Sequence, residues 1–235
     1  MSSIRVARTA RHGHRISMAL AVLLLCFTGV ATAAENAAAL AFPGAQGWAA
    51  HTQGGRGGKL IRVTTLDLEG PGSISEALAT KGPRTVVFEV GGVIDLGVKT
   101  LRITEPFLTI AGQTAPAPGI TFIRGGIDIA TNDVIVRHIR VRPGDAGQPK
   151  RSGVDFDAIS TVRARNVIVD HCSLTWATDE GLSSSGTRFI EGGKTLEDFR
   201  NGTSRRITFS NNLIAEGLAD STHGKGEHSK GTLVH

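Results

Sequence analysis

Five short aliphatic runs recur through the middle of this 235-residue chain, and their spacing constrains its fold more than any other feature. Val86-Val87-Phe88, Leu108-Thr109-Ile110, Val134-Ile135-Val136, Val167-Ile168-Val169 and Ile207-Thr208-Phe209 follow one another at 22, 26, 33 and 40 residues. The last three share a longer template, Val134 to His138, Val167 to His171 and Ile207 to Asn211. An aliphatic residue follows three positions later in each, at Val141, Leu174 and Ile214. Runs of this length and composition read as strands. No helix-period pattern lies between them, which argues against βαβ units. Irregular periods of this size predict an all-β fold, a parallel β-solenoid with one rung per repeat and the variable excess in outer loops. The largest such loop would run from Thr187 to Ser204. Thirty glycines and no tyrosine fit many short strands joined by tight turns.

A second repeat lies inside the first. Asp157-Ala158-Ile159-Ser160 recurs as Glu180-Gly181-Leu182-Ser183, 23 residues later. On adjacent rungs the two acids would stand about 4.8 Å apart, joined by Asp155 and Asp179. Like charges that close repel unless a cation sits between them. Oxygen ligands in an irregular cluster suit Ca²⁺. The competing reading is a set of solvated turn residues.

The N-terminus reads as a secretory signal over residues 1–33. It has an arginine-bearing start, an apolar run from Ile16 to Val30, and Ala31-Thr32-Ala33 as cleavage site. A membrane anchor is the alternative, but the run is short of the ~20 residues that span a bilayer. The net charge of +5 is misleading, because the signal holds four arginines and no acid. Without it, 22 basic residues face 21 acidic ones, and nothing in the composition favours nucleic acid as a partner. Residues 34–235 are expected to be the front part of one secreted domain, extracellular or periplasmic and free of the membrane once the signal is removed. Cys172 would be its only cysteine, so packing rather than a disulfide must stabilise it.

Before the repeats, GGRGGK at Gly54–Lys59 suggests a phosphate loop. It lacks the required spacing, since Gln53 and Leu60 occupy the first-glycine and hydroxyl positions. A strand follows at Leu60 to Val63. Ser73-Ile74-Ser75-Glu76 then fits a capping box, with Ile74, Ala77 and Leu78 as the apolar face of a short helix that Gly82-Pro83 ends. Such a helix would lid the open end of a stack. Gly231 to His235 begins another rung that nothing follows, so the chain is expected to be the front of a longer protein.

Several segments carry a family likeness: FPGAQGW, GGRGGKLIRVTTL, GPGSISEAL, LTIAGQTAPAPGI, VIVRHIRVRPGD, DFDAIS and VIVDHCSLTWATDEGLS. In that order, from about Phe42 to the last residue, they resemble the secreted bacterial pectate lyases. The resemblance implies a right-handed parallel β-helix that cleaves polygalacturonate by Ca²⁺-dependent β-elimination, acting as a monomer. It places calcium ligands on Asp155, Asp157 and Glu180. Many members add a carboxylate four residues further on, where this chain has Ser184. That departure implies a weaker site, or one completed by Asp179 or water. A substrate-binding lysine falls on Lys225 or Lys230, with Lys225 favoured, and the family's catalytic arginine would lie beyond His235. The alternatives are a lyase for another uronate polymer and a β-solenoid that binds carbohydrate without cleaving it.

Other residues invite chemistry and have plainer readings. Asp170 with His171 looks like a catalytic pair, but His138 and Asn211 share the template column, so a hydrogen-bonded ladder along the wall is preferred. Cys172 reads as a packing thiol. His223, Glu227 and His228 could bind zinc, though a solvated Gly-rich loop is the preferred reading. Arg140 and Arg142 should alternate outward, with a solvated surface as the preferred reading and contact with polygalacturonate as the alternative.

Overall fold

The computed structural model describes residues 39–186 and 193–234. The signal assigned to residues 1–33 and part of the long loop after Gly186 fall outside that range. Among the described residues no helix is long and apolar enough to cross a membrane. Residues from Leu40 onward form one contact unit, a right-handed parallel β-helix of three sheets.

The first sheet stacks β1 (Lys59–Val63), β2 (Arg84–Phe88), β5 (Leu108–Ala111), β8 (Asn132–Arg137), β11 (Arg165–Asp170) and β14 (Arg205–Ser210). The second stacks β3 (Gly92–Asp95), β6 (Ile120–Ile123), β9 (Arg140–Arg142), β12 (Ser173–Thr175) and β15 (Leu213–Ala215). The third stacks β4 (Leu101–Ile103), β7 (Ile127–Ile129), β10 (Ile159–Val162), β13 (Leu182–Ser185) and β16 (Thr232–Val234). The second, third and fourth of the five runs, spaced 26 and 33 apart, pair as read: Leu108 with Val134, Val134 with Val167. Val167 likewise pairs with Ile207, 40 residues on.

The earliest pairing differs. The sequence aligns Val86 with Leu108, whereas Val86 pairs with Ile110 and Arg84 with Leu108. A slip of two residues leaves every side chain on its own face, so hydrophobic pattern cannot detect it. Ile94, Ile103, Ile120, Phe122, Val134 and Val167 are among the fully buried residues that fill the interior.

The last three turns between first and second sheets are alike. His138, His171 and Asn211 close β8, β11 and β14 with φ of 56°, 53° and 54°, a left-handed corner on each of those rungs. The His138 and His171 rings stack with centroids 5.0 Å apart. Asp170, 1% exposed in its side chain, accepts hydrogen bonds from Arg137 Nε (2.9 Å), Ser210 Oγ (2.8 Å) and Asn211 Nδ2 (3.0 Å), and His171 Nδ1 lies at 2.7 Å. The ladder reading holds, and the pair is structural. Burial alone would raise the Asp170 pKa; its hydrogen bonds from Asn211, His171, Ser210 and Arg137 outweigh that and bring it from 3.8 to about 2. A depressed acid stabilises the fold above its unfolded pKa and loses that contribution as pH falls through the folded value. Acid titration of wild type should therefore show a loss of stability between about pH 4 and 2 that Asp170→Asn lacks. Parallel curves would refute the assignment.

Short helix α1 (Ile74–Ala79) seals the first rung with Ile74, Ala77 and Leu78 buried. Ser73 caps it by accepting from Glu76 N (3.2 Å). The Glu76 carboxylate reaches one residue beyond the expected box, to Gly72 N at 2.6 Å. The side chain the sequence reading missed is Arg84, fully buried beneath this helix. Its guanidinium donates to the carbonyls of Ala77, Leu78, Gly82, Glu105 and Pro106 at 2.7–3.2 Å. The GGRGGK segment packs against the same strand. A Cβ on Gly55 would meet the Arg84 carbonyl oxygen at 1.9 Å, and one on Gly58 the Pro83 carbonyl oxygen at 1.8 Å. Close backbone approach explains those glycines. Within the long outer loop, α2 (Leu196–Gly202) carries a capping box from Thr195 and Asp198. The Thr-x-x-Asp spacing was the available signal.

Candidate metal centre

Three successive loops, each leading into a strand of the third sheet, build the site. Residues 143–158 precede β10, 176–181 precede β13, and 216–231 precede β16. Ile159 pairs with Leu182, and Leu182 with Thr232. Ala158 N donates to Glu180 O (2.9 Å) and Gly181 N to Lys230 O (2.8 Å), so the ladder continues past the strand ends. The 23-residue offset of the acid repeat is thus the register of β10 on β13, and it stacks Asp157 beneath Glu180.

Asp157, Asp179 and Glu180 can each bring a carboxylate oxygen within 4.8 Å of the other two. Asp157 is pinned: Oδ1 accepts from Glu180 N at 3.0 Å and Oδ2 accepts from Ser183 Oγ. Burial, the neighbouring Asp157 and then Asp179 raise Glu180 to about 8. Burial is also the main cause raising Asp157. Asp179 Oδ1 is buried without a hydrogen bond. That oxygen faces His228 Nε2 at 3.0 Å, and it is the crowding of the three carboxylates themselves that fits a hard divalent cation of the Ca²⁺ type.

Asp155 stands outside that trio. Its half-exposed carboxylate lies 3.5 Å from His223 Nε2. Ser184 is buried on β13, and alternation turns it away from the face on which Ser183 meets Asp157. Lys225 and Lys230 both border the groove of ≈ 480 Å³ over the trio, along with Ser183, Ser185, His228 and Leu233. The groove is therefore acidic at its floor and cationic at its rim.

His223 was read as part of a solvated loop; its side chain is 1% exposed. Its ring stacks on His228 at 3.9 Å between centroids. Arg142 is half-buried rather than solvated and holds Ser173 Oγ at 2.7 Å, while Arg140 is exposed and donates to Pro118 O (2.7 Å). Cys172 is buried, with burial pushing its thiol up to about 12, so it is no nucleophile.

The right-handed parallel β-helix is a fold that known proteins share. A probable pectate lyase C from Emericella nidulans is 38% identical over 208 residues, covering 88% of this chain and 42% of that protein. Its counterpart from Aspergillus terreus is 36% identical over 210 residues, 89% of this chain and 43% of that protein. Pectate lyase 5 from Ambrosia artemisiifolia is 28% identical over 203 residues, 81% of this chain and 47% of that protein. The crystal structure of jun a 1, the major allergen from cedar pollen, superposes with a TM-score of 0.53 at 22% identity over 71% of this chain and 47% of that one. That likeness shows the fold. No family model matches the chain. These relatives support kinship with the pectate lyase family. The bacterial affinity expected from the sequence finds no support, because the relatives come from fungi and a plant. The chain spans less than half the length of the curated relatives it matches.

Proposed function

We propose that this chain is part of a secreted pectate lyase that acts on polygalacturonate by Ca²⁺-dependent β-elimination. The observation that carries the reading is the Asp157, Asp179 and Glu180 trio beneath a groove bordered by Lys225 and Lys230. The names of the curated relatives favour pectate as the acidic polysaccharide. Asp157, Asp179 and Glu180 would hold the ion, with Asp155 at the edge of the set. Bound there, Ca²⁺ supplies Lewis acidity toward a uronate carboxylate and so acidifies the adjacent C5 hydrogen. Glu180 N and Ser183 keep Asp157 oriented for that duty. Lys225 and Lys230 bind neighbouring carboxylates of the polymer as compact point charges. A base takes the C5 proton while the C4 oxygen leaves, and an arginine base on a later rung remains part of this reading.

The test follows the ultraviolet absorbance of the unsaturated uronide product on polygalacturonate, with Ca²⁺ and then with chelator. It is run on this chain and on a form extended beyond His235. Ca²⁺-dependent product from the extended form is expected, at least about 100-fold reduced in Lys225→Ala. Ca²⁺ binding without product in either form would replace the lyase by a carbohydrate-binding solenoid.

A further inference from the structure

His223 lies among three groups that the proposed reaction needs, and its hydrogen-bond pattern assigns it a definite role. The ring is buried in the loop before β16. On one side, the backbone N–H of Lys225 donates to Nδ1 at 3.1 Å. On the other, Nε2 is directed between Asp155 Oδ2 at 3.5 Å and Asp179 Oδ1 at 3.7 Å. Nε2 and Asp179 Oδ1 are both buried and both lack a hydrogen bond.

Two readings compete for this constellation. Asp179, His223 and His228 bring ligand atoms close enough together to hold a metal ion of their own. The Lys225 N–H decides against it. A ring whose Nδ1 accepts a hydrogen bond carries its neutral-state proton on Nε2. Metal-bound histidines show the reverse arrangement, donating from the nitrogen that faces away from the metal. Here the nitrogen facing the acids is the one with the proton. His223 turns an N–H, not a ligand lone pair, toward Asp155 and Asp179, at 3.5 and 3.7 Å.

We propose that His223 is a positioning residue that locks the backbone of the Lys225 loop to the carboxylates of the calcium site. One face of the ring fixes Lys225 through its main chain. The Nε2–H aims Asp179, and Asp155 beside it, so that Asp179 presents its other oxygen to Asp157 and Glu180. Stacking on His228 holds the ring plane, and the His228 Nε2, 3.0 Å from Asp179 Oδ1, braces the same carboxylate. The substrate-binding lysine and the ion-binding acids come from different rungs, and His223 sets their relative position. The proposal rests on the lyase reading for its purpose, though its geometry is independent of turnover.

Two measurements test it without an activity assay. Long-range nitrogen–proton correlation spectra of the ¹⁵N-labelled wild-type chain at mildly alkaline pH should show His223 as the Nε2–H tautomer, with and without Ca²⁺. An Nδ1–H tautomer would overturn the assignment, and a Zn²⁺-induced shift of the Nε2 resonance into the metal-bound range would reinstate the ligand reading. Calorimetric Ca²⁺ titration of two variants separates positioning from mere structure. His223→Gln keeps an amide N–H near the Nε2 position and should hold Ca²⁺ affinity within about threefold. His223→Asn keeps an acceptor for Lys225 N but withdraws the donor, and should lose about 10- to 100-fold, the range seen when groups that orient metal ligands are removed. Equal losses in both folded variants, or no loss in either, would refute the role. If either variant fails to fold, the wild-type tautomer alone decides. Failure here with intact Ca²⁺-dependent product formation would leave the lyase reading standing.

Discussion

Arg84→Met should destabilise the chain by about 3 kcal/mol or more, because it strips partners from a cluster of buried carbonyls at once. All the guanidinium N–H groups are engaged at 2.7–3.2 Å. Two of the acceptors, Ala77 O and Leu78 O, belong to the last turn of α1, whose carbonyls have no partner inside the helix. The positive charge also meets the negative end of the helix. Burial lowers the Arg84 pKa, with Glu105 opposing, so the site bears a real desolvation cost that these contacts offset. A lysine offers fewer donors in a different geometry, so Arg84→Lys should recover less than half of the loss. Stability in a solenoid is nearly a sum over neighbouring rungs. The defect should therefore appear first as lost amide exchange protection in α1, β1 and β2, with β11 still protected. Urea denaturation within about 1 kcal/mol of wild type would refute the role.

Glu180→Gln should have opposite effects with and without calcium. In the metal-free chain Glu180 titrates near 8, above its ordinary 4.5. Between those values the folded chain retains a proton that the unfolded chain has released, so metal-free stability falls as pH rises from about 4.5 through about 8. Glutamine cannot ionise, and its amide can donate to the neighbouring carboxylates. In chelator, thermal melts of the variant should be flat across that window and should exceed wild type at its alkaline end. With Ca²⁺ present, the variant should bind the ion about 100-fold more weakly, having lost the charge and one of the two carboxylate oxygens. Parallel pH profiles in chelator, or unchanged Ca²⁺ affinity, would remove Glu180 from the centre.

What could be read from the sequence divides along physical lines. Rung pairing from Leu108 onward was visible because each core aliphatic repeats at a spacing that the strand ladder itself imposes. The stacking of Asp157 on Glu180 was visible for the same reason, since each acid lies two residues before a paired strand. The two-residue slip at Arg84 was invisible, because it preserves every facing and its cause is a tertiary contact under α1. The burial of His223 was invisible for a related reason. Residues 216–231 follow no template, and only the folded loop reveals that a histidine in a Gly-rich stretch is buried against acids one and two rungs away. The D-x-D spacing does not encode that Asp155 sits half-exposed beside His223, 3.5 Å away, at the edge of the tight trio.

The candidate site draws one side of its lining from each of three consecutive loops, and this bears on how such a protein assembles. Rungs laid down from the N-terminus can stack without knowledge of what comes later. An ion shared by Asp157 and Glu180, tied through His223 to the Lys225 loop, would not. It would form only after three coils have reached register, and would then oblige them to open together. A ligand placed across the corner thus turns a stack of near-independent layers into a cooperative block, and makes cation uptake a late checkpoint for correctly threaded chains.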